Sequence, residues 1–156
     1  MFNLILFQPE IPPNTGNIIR LCANVGAALH LITPLGFALD DRKLRRAGLD
    51  YREFADIAVH DSLPDCLGIL GQPRVLAVST RGTVCYSRHE FQPDDALLFG
   101  PETRGLPDDI LNALPVGQVL RIPMQPDNRS LNLSNAAAVV LYEAWRQVGF
   151  GTSDTA

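Results

Sequence analysis

Short apolar runs separated by loops of Pro, Gly, Asn and Asp recur along the whole sequence. The runs lack a regular polar face, which is typical of strands buried on both sides of a parallel sheet. We predict strands at residues 2–7, 28–32, 74–78, 96–99 and 119–122, with a weaker one at 57–59.

Stretches with helical periodicity lie between these runs. We predict helices at residues 15–25, 40–47, 63–70, 107–114 and 133–148. The alternation of strands and helices indicates an α/β protein with a mainly parallel sheet flanked by helices. Because protein chains are as a rule unknotted, the pattern alone favours a flavodoxin-like sheet.

The chain has 156 residues, 46% of them apolar, which is enough for one domain with its own core. We expect a single domain over residues 1–150 and a disordered tail at 151–156, because no repeat or linker divides the sequence. The N-terminal apolar run is too short for a signal peptide or a membrane span. Three cysteines without a CxxC pair fit a reducing compartment, so we expect a cytoplasmic protein with no membrane partner.

The first predicted strand is followed by NTGNIIRLCANVG, residues 14–26, in which one arginine interrupts an apolar helix. Asn14 or Thr15 is the expected helix cap. The apolar face of this helix is predicted to contain Ile18, Leu21, Cys22 and Val25. Arg20 lies off that face, in a helix that follows a strand end, where parallel α/β sheets bind ligands. We therefore expect Arg20 to face a substrate, although solvated arginines are common on helices.

Two later segments also place polar residues directly after a predicted strand. In LLFGPETRGLP, residues 97–107, Gly100 ends the strand and leaves room for a ligand near the backbone, and Glu102 follows it. In RIPMQPDNRSLNLSNAAAVVLYEAW, residues 121–145, at least one of the polar residues at the start of the helix is expected to cap it. These polar residues are Ser130, Asn132 and Ser134. Three such strand ends exceed what capping requires, and they predict a binding site at this edge of the sheet.

Several common active-site motifs are missing from the sequence. The first loop offers only Gly16 toward a G-x-G-x-x-G fingerprint, and neither G-x-x-x-x-G-K-[ST] nor G-x-S-x-G occurs. His30, His60 and His89 are scattered, and we expect them to be surface or core residues rather than catalytic groups. We expect no metal.

The segments NTGNIIR, LLFGPETRGLP and IPMQPDNRSLNLSNAAAVVLYEAW together resemble motifs 1, 2 and 3 of the SPOUT class of RNA methyltransferases. LRRAGLDY, residues 44–51, and the short length are similar to its smallest branch, the tRNA wobble-nucleotide 2'-O-methyltransferases. The resemblance implies methyl transfer from S-adenosylmethionine to the ribose of cytidine or uridine 34, with leucine tRNAs as the expected substrates. S-adenosylhomocysteine is the implied product.

The same resemblance implies a C-terminal deep trefoil knot that builds the S-adenosylmethionine pocket. The residues that it assigns to this pocket are Val78, Gly100, Ile122, Ser130 and Leu131. Those that it assigns to catalysis are Asn14, Arg20, Glu102 and Asn132. Because a guanidinium stays protonated at physiological pH, we expect Arg20 to clamp an RNA phosphate rather than to act as a base.

Positive charge is concentrated in one short stretch of an acidic chain. The net charge of −4 argues against binding through a general basic field. We expect the local cluster to contact the anticodon stem-loop of the tRNA, whose unstacked bases side chains can read. This cluster consists of Arg42, Lys43, Arg45 and Arg46.

The predicted C-terminal helix is apolar on nearly all sides until Glu143 and Arg146 interrupt it, so we expect a homodimer that covers it. The resemblance implies that Arg20 of one subunit then serves the cofactor pocket of the other. Two alternatives stay open. The chain could be a SPOUT methyltransferase acting at another tRNA or rRNA position, or a nucleotide-binding α/β module without enzymatic activity.

Overall fold

Seven strands form one sheet in the computed structural model, which describes residues 1–39 and 57–151. The strands are β1 (Asn3–Phe7), β2 (Ala28–Ile32), β3 (Ile57–His60), β4 (Val75–Val78), β5 (Val84–Cys85), β6 (Ala96–Phe99) and β7 (Val119–Arg121). Their order across the sheet is β3-β2-β1-β6-β4-β7-β5, and every neighbouring pair is parallel. The expected mainly parallel α/β fold is therefore confirmed.

Helices follow most of these strands. They are α1 (Pro12–Val25), α2 (Leu63–Ile69), α3 (Asp108–Ala113) and α4 (Leu133–Gln147), with short 3-10 turns at Tyr86–Arg88 and Gly149–Gly151. Within residues 1–39 and 57–151, none of the helices combines the length and the apolar character needed to cross a membrane.

The core has two layers, one on each face of the sheet. On one face α1 and α4 pack on Leu4 and Leu6 of β1, and on the other face α2 and α3 pack around Ile5. Alternate residues of β1 thus enter opposite layers, and both layers are buried. Burial on both faces explains why the strand sequences are continuously apolar rather than alternating.

Every predicted strand and helix within the described residues lies within a few residues of an observed one. The two-residue strand β5 was not predicted, because so short a segment has no periodicity. α1 begins at Pro12 rather than at residue 15, and its first turn contains prolines, which need no N–H partner there. The capping prediction for Asn14 or Thr15 is wrong, since both are buried inside α1 and its N-cap residue is Ile11. The predicted helix at 40–47 and the tail beyond residue 151 lie outside the described residues.

The strand order differs from the flavodoxin-like sheet that the pattern alone favours. β6 lies between β1 and β4, and β7 lies between β4 and β5. Two late strands are therefore inserted between strands that precede them in the chain. A flavodoxin-like order would instead place the later strands outward in succession.

A partly buried ion pair holds the loop that precedes β6. The Nε and Nη2 atoms of Arg74 donate to the two carboxylate oxygens of Asp95 at 2.8 and 2.7 Å. Asp95 is only 2% exposed, and it also accepts a hydrogen bond from the backbone N–H of Gln92 at 2.8 Å. The guanidinium of Arg74 donates in addition to the carbonyl of Glu90.

We predict that Asp95→Asn lowers the free energy of unfolding by about 2 kcal/mol, because it removes a charge-assisted bidentate pair and leaves Arg74 without its counter-charge. Urea denaturation measures this change. The matched control is Asp94→Asn, which removes an exposed pair with the N-terminal amine and is expected to cost less than about 1 kcal/mol. Equal effects of the two substitutions would contradict the assignment of Asp95 as the structural carboxylate.

Candidate functional site

A cavity of about 500 Å³ opens beyond the carboxyl ends of the adjacent strands β6, β4 and β7. It is lined by three segments that follow these strands, within residues 78–80, 99–106 and 122–136, together with Ile11 and Asn14 from the start of α1. This is the edge at which parallel α/β sheets bind ligands, and the volume suits a small molecule.

The cavity brings together most of the residues singled out from the sequence. Val78, Gly100, Ile122, Ser130 and Leu131 all line it, as do Asn14, Glu102 and Asn132. Arg20 does not line it: its side chain is exposed on α1, further along the helix than Asn14. The basic residues Arg42, Lys43, Arg45 and Arg46 lie outside the described residues.

Glu102 connects the loop after β6 to the start of α1. Its carboxylate accepts hydrogen bonds from the backbone N–H groups of Glu10 at 2.8 Å and Ile11 at 3.2 Å. The amide nitrogen of Asn14 lies 3.5 Å from the same carboxylate. Because Ile11 is the N-cap residue of α1 and offers no side-chain cap, Glu102 satisfies an N–H group at this helix end from a distant part of the sequence.

Asn132 connects the start of α4 to the same helix. Its side-chain amide donates to the Oδ1 atom of Asn14 at 2.9 Å. Its own Oδ1 accepts from the backbone N–H groups of Ser134 at 2.9 Å and Asn135 at 3.3 Å, so the prediction that one of the polar residues caps α4 is confirmed for Asn132. Glu102, Asn14 and Asn132 therefore form one chain of hydrogen bonds, which we call the three-loop clasp.

A second contact between the same loops was not predicted from the sequence. The carboxylate of Glu10 accepts hydrogen bonds from the backbone N–H of Thr103 at 3.1 Å and from its hydroxyl at 2.7 Å. These bonds, with a smaller contribution from the charge of Arg104, hold the pKa of the Glu10 carboxyl below its usual value. No local signal identifies Glu10, because its partners lie more than 90 residues away.

The contacts of Gly100 give a different reason for glycine than the one inferred from the sequence. A Cβ atom at this position would lie 2.4 Å from the backbone nitrogen of Leu106 and 2.5 Å from the carbonyl carbon of Gly105. The loop at 101–106 thus folds back directly against Gly100. Glycine is required there by the loop's own backbone, whether or not a ligand approaches it.

Gly82, in the loop between β4 and β5, was also not predicted as a special position. A Cβ atom there would lie 2.3 Å from the backbone carbonyl of Leu120 in β7. The neighbouring N–H groups of Ser79 and Thr83 donate to the carbonyls of Leu120 and Val119 at 2.9 and 3.1 Å. The loop and the strand therefore cross in close backbone contact beside the cavity.

Solved RNA methyltransferases share the fold of this chain. The solved structure of an AdoMet-bound rRNA methyltransferase from Sinorhizobium meliloti superimposes with a TM-score of 0.81 at 28% identity, over 93% of this chain and 56% of that one. Residues 1–142 match the SpoU rRNA Methylase family, and the chain belongs to this family.

Two relatives match over nearly the full length. A protein of Yersinia pestis named tRNA (cytidine(34)-2'-O)-methyltransferase is 60% identical over 155 residues, which cover 96% of each chain. A solved structure described as "Structural insights into the 2-OH methylation of C/U34 on tRNA" is 49% identical with a TM-score of 0.88. The match covers 95% of this chain and 96% of that one.

We predict that Glu102→Gln loosens the three-loop clasp, because an amide replaces one accepting oxygen with an NH₂ group that faces a backbone N–H. The expected loss is about 1–2 kcal/mol in the free energy of unfolding, with faster hydrogen exchange at the amides of Glu10 and Ile11. The control is Glu10→Gln, which still leaves an acceptor for Thr103 at an exposed site. Unchanged exchange at Ile11 in the Glu102 variant would show that the carboxylate is not needed there.

Proposed function

We propose that this protein is an S-adenosylmethionine-dependent tRNA 2'-O-methyltransferase that acts on the ribose of the wobble nucleotide, cytidine or uridine 34. The observation that carries the proposal is 60% identity, over 96% of both chains, to a relative named for this reaction. The cavity is compatible with it, because the segments that carry the three sequence motifs meet there.

The cavity can accommodate the methyl donor. Its volume of about 500 Å³ is in the range of small-molecule sites, and its lining mixes apolar side chains with loop backbone. When bound, S-adenosylmethionine supplies a methyl group on a sulfonium, which is a good leaving group, and S-adenosylhomocysteine is the product. We assign the donor to Val78, Gly100, Ile122, Ser130 and Leu131, and we assign no metal to the transfer step.

The three-loop clasp has a positioning role in this proposal. The polar groups of Asn14, Glu102 and Asn132 bond to one another and to loop backbone, so they fix the walls of the cavity. Transfer to a ribose hydroxyl needs mainly an in-line approach, and the rate therefore depends on how precisely these walls hold both reactants.

Arg20 is the proposed RNA clamp. Its planar guanidinium can bind a phosphate through two parallel hydrogen bonds, but it stays protonated and cannot serve as the base. The proton of the ribose hydroxyl then passes to that phosphate or to a water molecule. Arg42, Lys43, Arg45 and Arg46 are proposed to contact the anticodon stem-loop, with leucine tRNAs as the substrates.

Helix geometry supports a site shared between two subunits. Asn14 and Arg20 are six residues apart in α1, which separates them by about 120° around the helix axis. One helix therefore does not direct both side chains into the same cavity. A homodimer, in which Arg20 reaches the cavity of the neighbouring subunit, resolves this.

Exposed apolar side chains provide a surface for that dimer. Tyr142 and Phe150 are 44% and 41% exposed, and both pack edge-to-face against Trp145 at the C-terminal end of α4. A face of this kind is expected to be covered by another subunit.

The deep trefoil knot is likewise a proposal. It is supported by the insertion of β7 between β4 and β5 and by the close crossing of the Gly82 loop over Leu120. We further propose that residues 1–150 form a single domain and that the protein acts in the cytoplasm on its tRNA.

The proposed activity is tested by incubating the purified protein with S-adenosylmethionine and total RNA and mapping the alkali-resistant phosphodiester bonds. We expect one protected bond, on the 3' side of nucleotide 34 in leucine tRNAs. Protection at another tRNA or rRNA position would instead support the alternative substrate. Binding of nucleotides without any methylation would support a non-enzymatic module.

We predict that Arg20→Lys lowers the methyl-transfer rate by more than about tenfold, because lysine keeps the charge but loses the planar fork. The dissociation constant for S-adenosylmethionine, measured by calorimetry, is expected to stay unchanged. The control is Arg146→Lys, at an exposed arginine paired with Glu143, which should keep the full rate. A rate close to that of the wild type in the Arg20 variant would exclude the bidentate clamp.

We predict that two inactive variants restore activity when mixed. One is Arg20→Ala. The other is Leu131→Arg, which fills the cavity from an exposed lining position. Random exchange should give about a quarter of the wild-type rate, because half of the dimers then contain one intact shared site. Native mass spectrometry verifies that the subunits have exchanged. If no activity is then recovered, Arg20 serves the cavity of its own subunit.

A further inference from the structure

Three potential metal ligands meet in the apolar layer beneath α2, and none of them lines the cavity. His30 of β2 and His60 of β3 are each 7% exposed, and Cys66 of α2 is completely buried. The ligand atoms of the three side chains lie within 4.8 Å of one another. The apolar residues of this layer include Ile5 and Ile32.

The contacts of Asn3 determine which nitrogen of His30 is available. The amide nitrogen of Asn3 donates to the carbonyl of Asp94 at 3.4 Å, which leaves Oδ1 to face the Nε2 atom of His30 at 3.3 Å. Nε2 must then carry the proton, and the lone pair of Nδ1 is directed into the cluster. An outer hydrogen bond that fixes the tautomer in this way is a regular feature of metal-binding histidines.

The distances in the cluster are close to those of a zinc site. In a tetrahedral site with Zn–N bonds of about 2.0–2.1 Å and a Zn–S bond of about 2.3 Å, ligand atoms are about 3.3–3.6 Å apart. Here the Nδ1 atom of His30 and the Nε2 atom of His60 are 3.0 Å apart, and the thiol lies within 4.8 Å of both. A tetrahedral site requires the imidazoles to move apart by a few tenths of an ångström and the thiol to move inward by up to about 1 Å.

We propose that His30, His60 and Cys66 bind one Zn²⁺ ion, with a water molecule as the fourth ligand. Two imidazoles and a thiolate are the donor set that zinc prefers over the hard cations. The ion joins α2 to strands β2 and β3, and its role is structural because the cluster is separate from the cavity.

Binding of Zn²⁺ changes the protonation of Cys66 and His60. Cys66 loses its thiol proton to solvent when the Zn–S bond forms. His60 gives up the proton on Nε2, which it shares with His30 in the metal-free state, and takes one on Nδ1, so its charge does not change. One proton is therefore released for each ion bound.

The test uses the full-length protein after treatment with a chelator. Titration with Co²⁺ is expected to give a thiolate-to-cobalt charge-transfer band that saturates at one ion per chain. Added Zn²⁺ should remove this band and raise the melting temperature. Absence of the band in the wild-type protein would overturn the proposal without recourse to any variant.

Variants assign the ligands. Cys66→Ser and Cys66→Ala should both abolish the band and weaken Zn²⁺ binding by at least about tenfold, and His60→Gln should weaken it similarly. Cys85→Ser is the matched control, because this cysteine is distant from the cluster on β5, and it should keep both the band and the affinity. If the Cys66 and His60 variants bind Zn²⁺ with unchanged affinity, the ion is an adventitious one bound at the surface, and the proposed site is wrong.

Discussion

The hydrogen bonds of Glu102 to the backbone N–H groups of Glu10 and Ile11, which directly precede α1, are the interaction on which the cavity depends. The N–H group of a helix N-cap residue has no partner within the helix, and α1 has no side-chain cap of its own. Glu102 supplies the missing acceptor from the loop after β6, 91 and 92 residues away. The N–H group at the start of α1 therefore gains its acceptor only when the sheet has brought β1 and β6 together. The site forms as a consequence of folding.

Asn14 extends this arrangement to the third loop. A side-chain amide has both a donor and an acceptor, and Asn14 uses them in opposite directions, toward Glu102 and toward Asn132. Aspartate in its place would face the Glu102 carboxylate with like charge, and alanine would remove the acceptor of the Asn132 amide at a buried position. The requirement for asparagine therefore arises from two partners of opposite hydrogen-bonding character.

Much of the fold could be predicted because the strands are buried on both faces, and burial leaves a continuous apolar signal. The start of α1 could not, because Glu102, which accepts from the N–H group of the N-cap residue Ile11, lies in another part of the sequence. The positions of β6 and β7 in the sheet could not be predicted from the local sequence either, because the sequence of a strand does not indicate which strands it pairs with. For the site, the strand-end loops could be located, but glycines such as Gly82 reveal their role only when the opposing backbone is in place.

The cavity and the His30 cluster lie on different parts of the sheet, and β1 lies between them. Asn3, at the start of β1, orients His30, while the chain that leaves Phe7 enters the loop held by Glu102. Between these ends, β1 is paired with β2 on one side and β6 on the other, and its central residues are buried. A movement of Asn3 would alter the geometry of the cavity only if it shifted the register of β1 against both β2 and β6. A metal ion at His30 would therefore stabilise the β2 and β3 edge while leaving the geometry of the three-loop clasp unchanged.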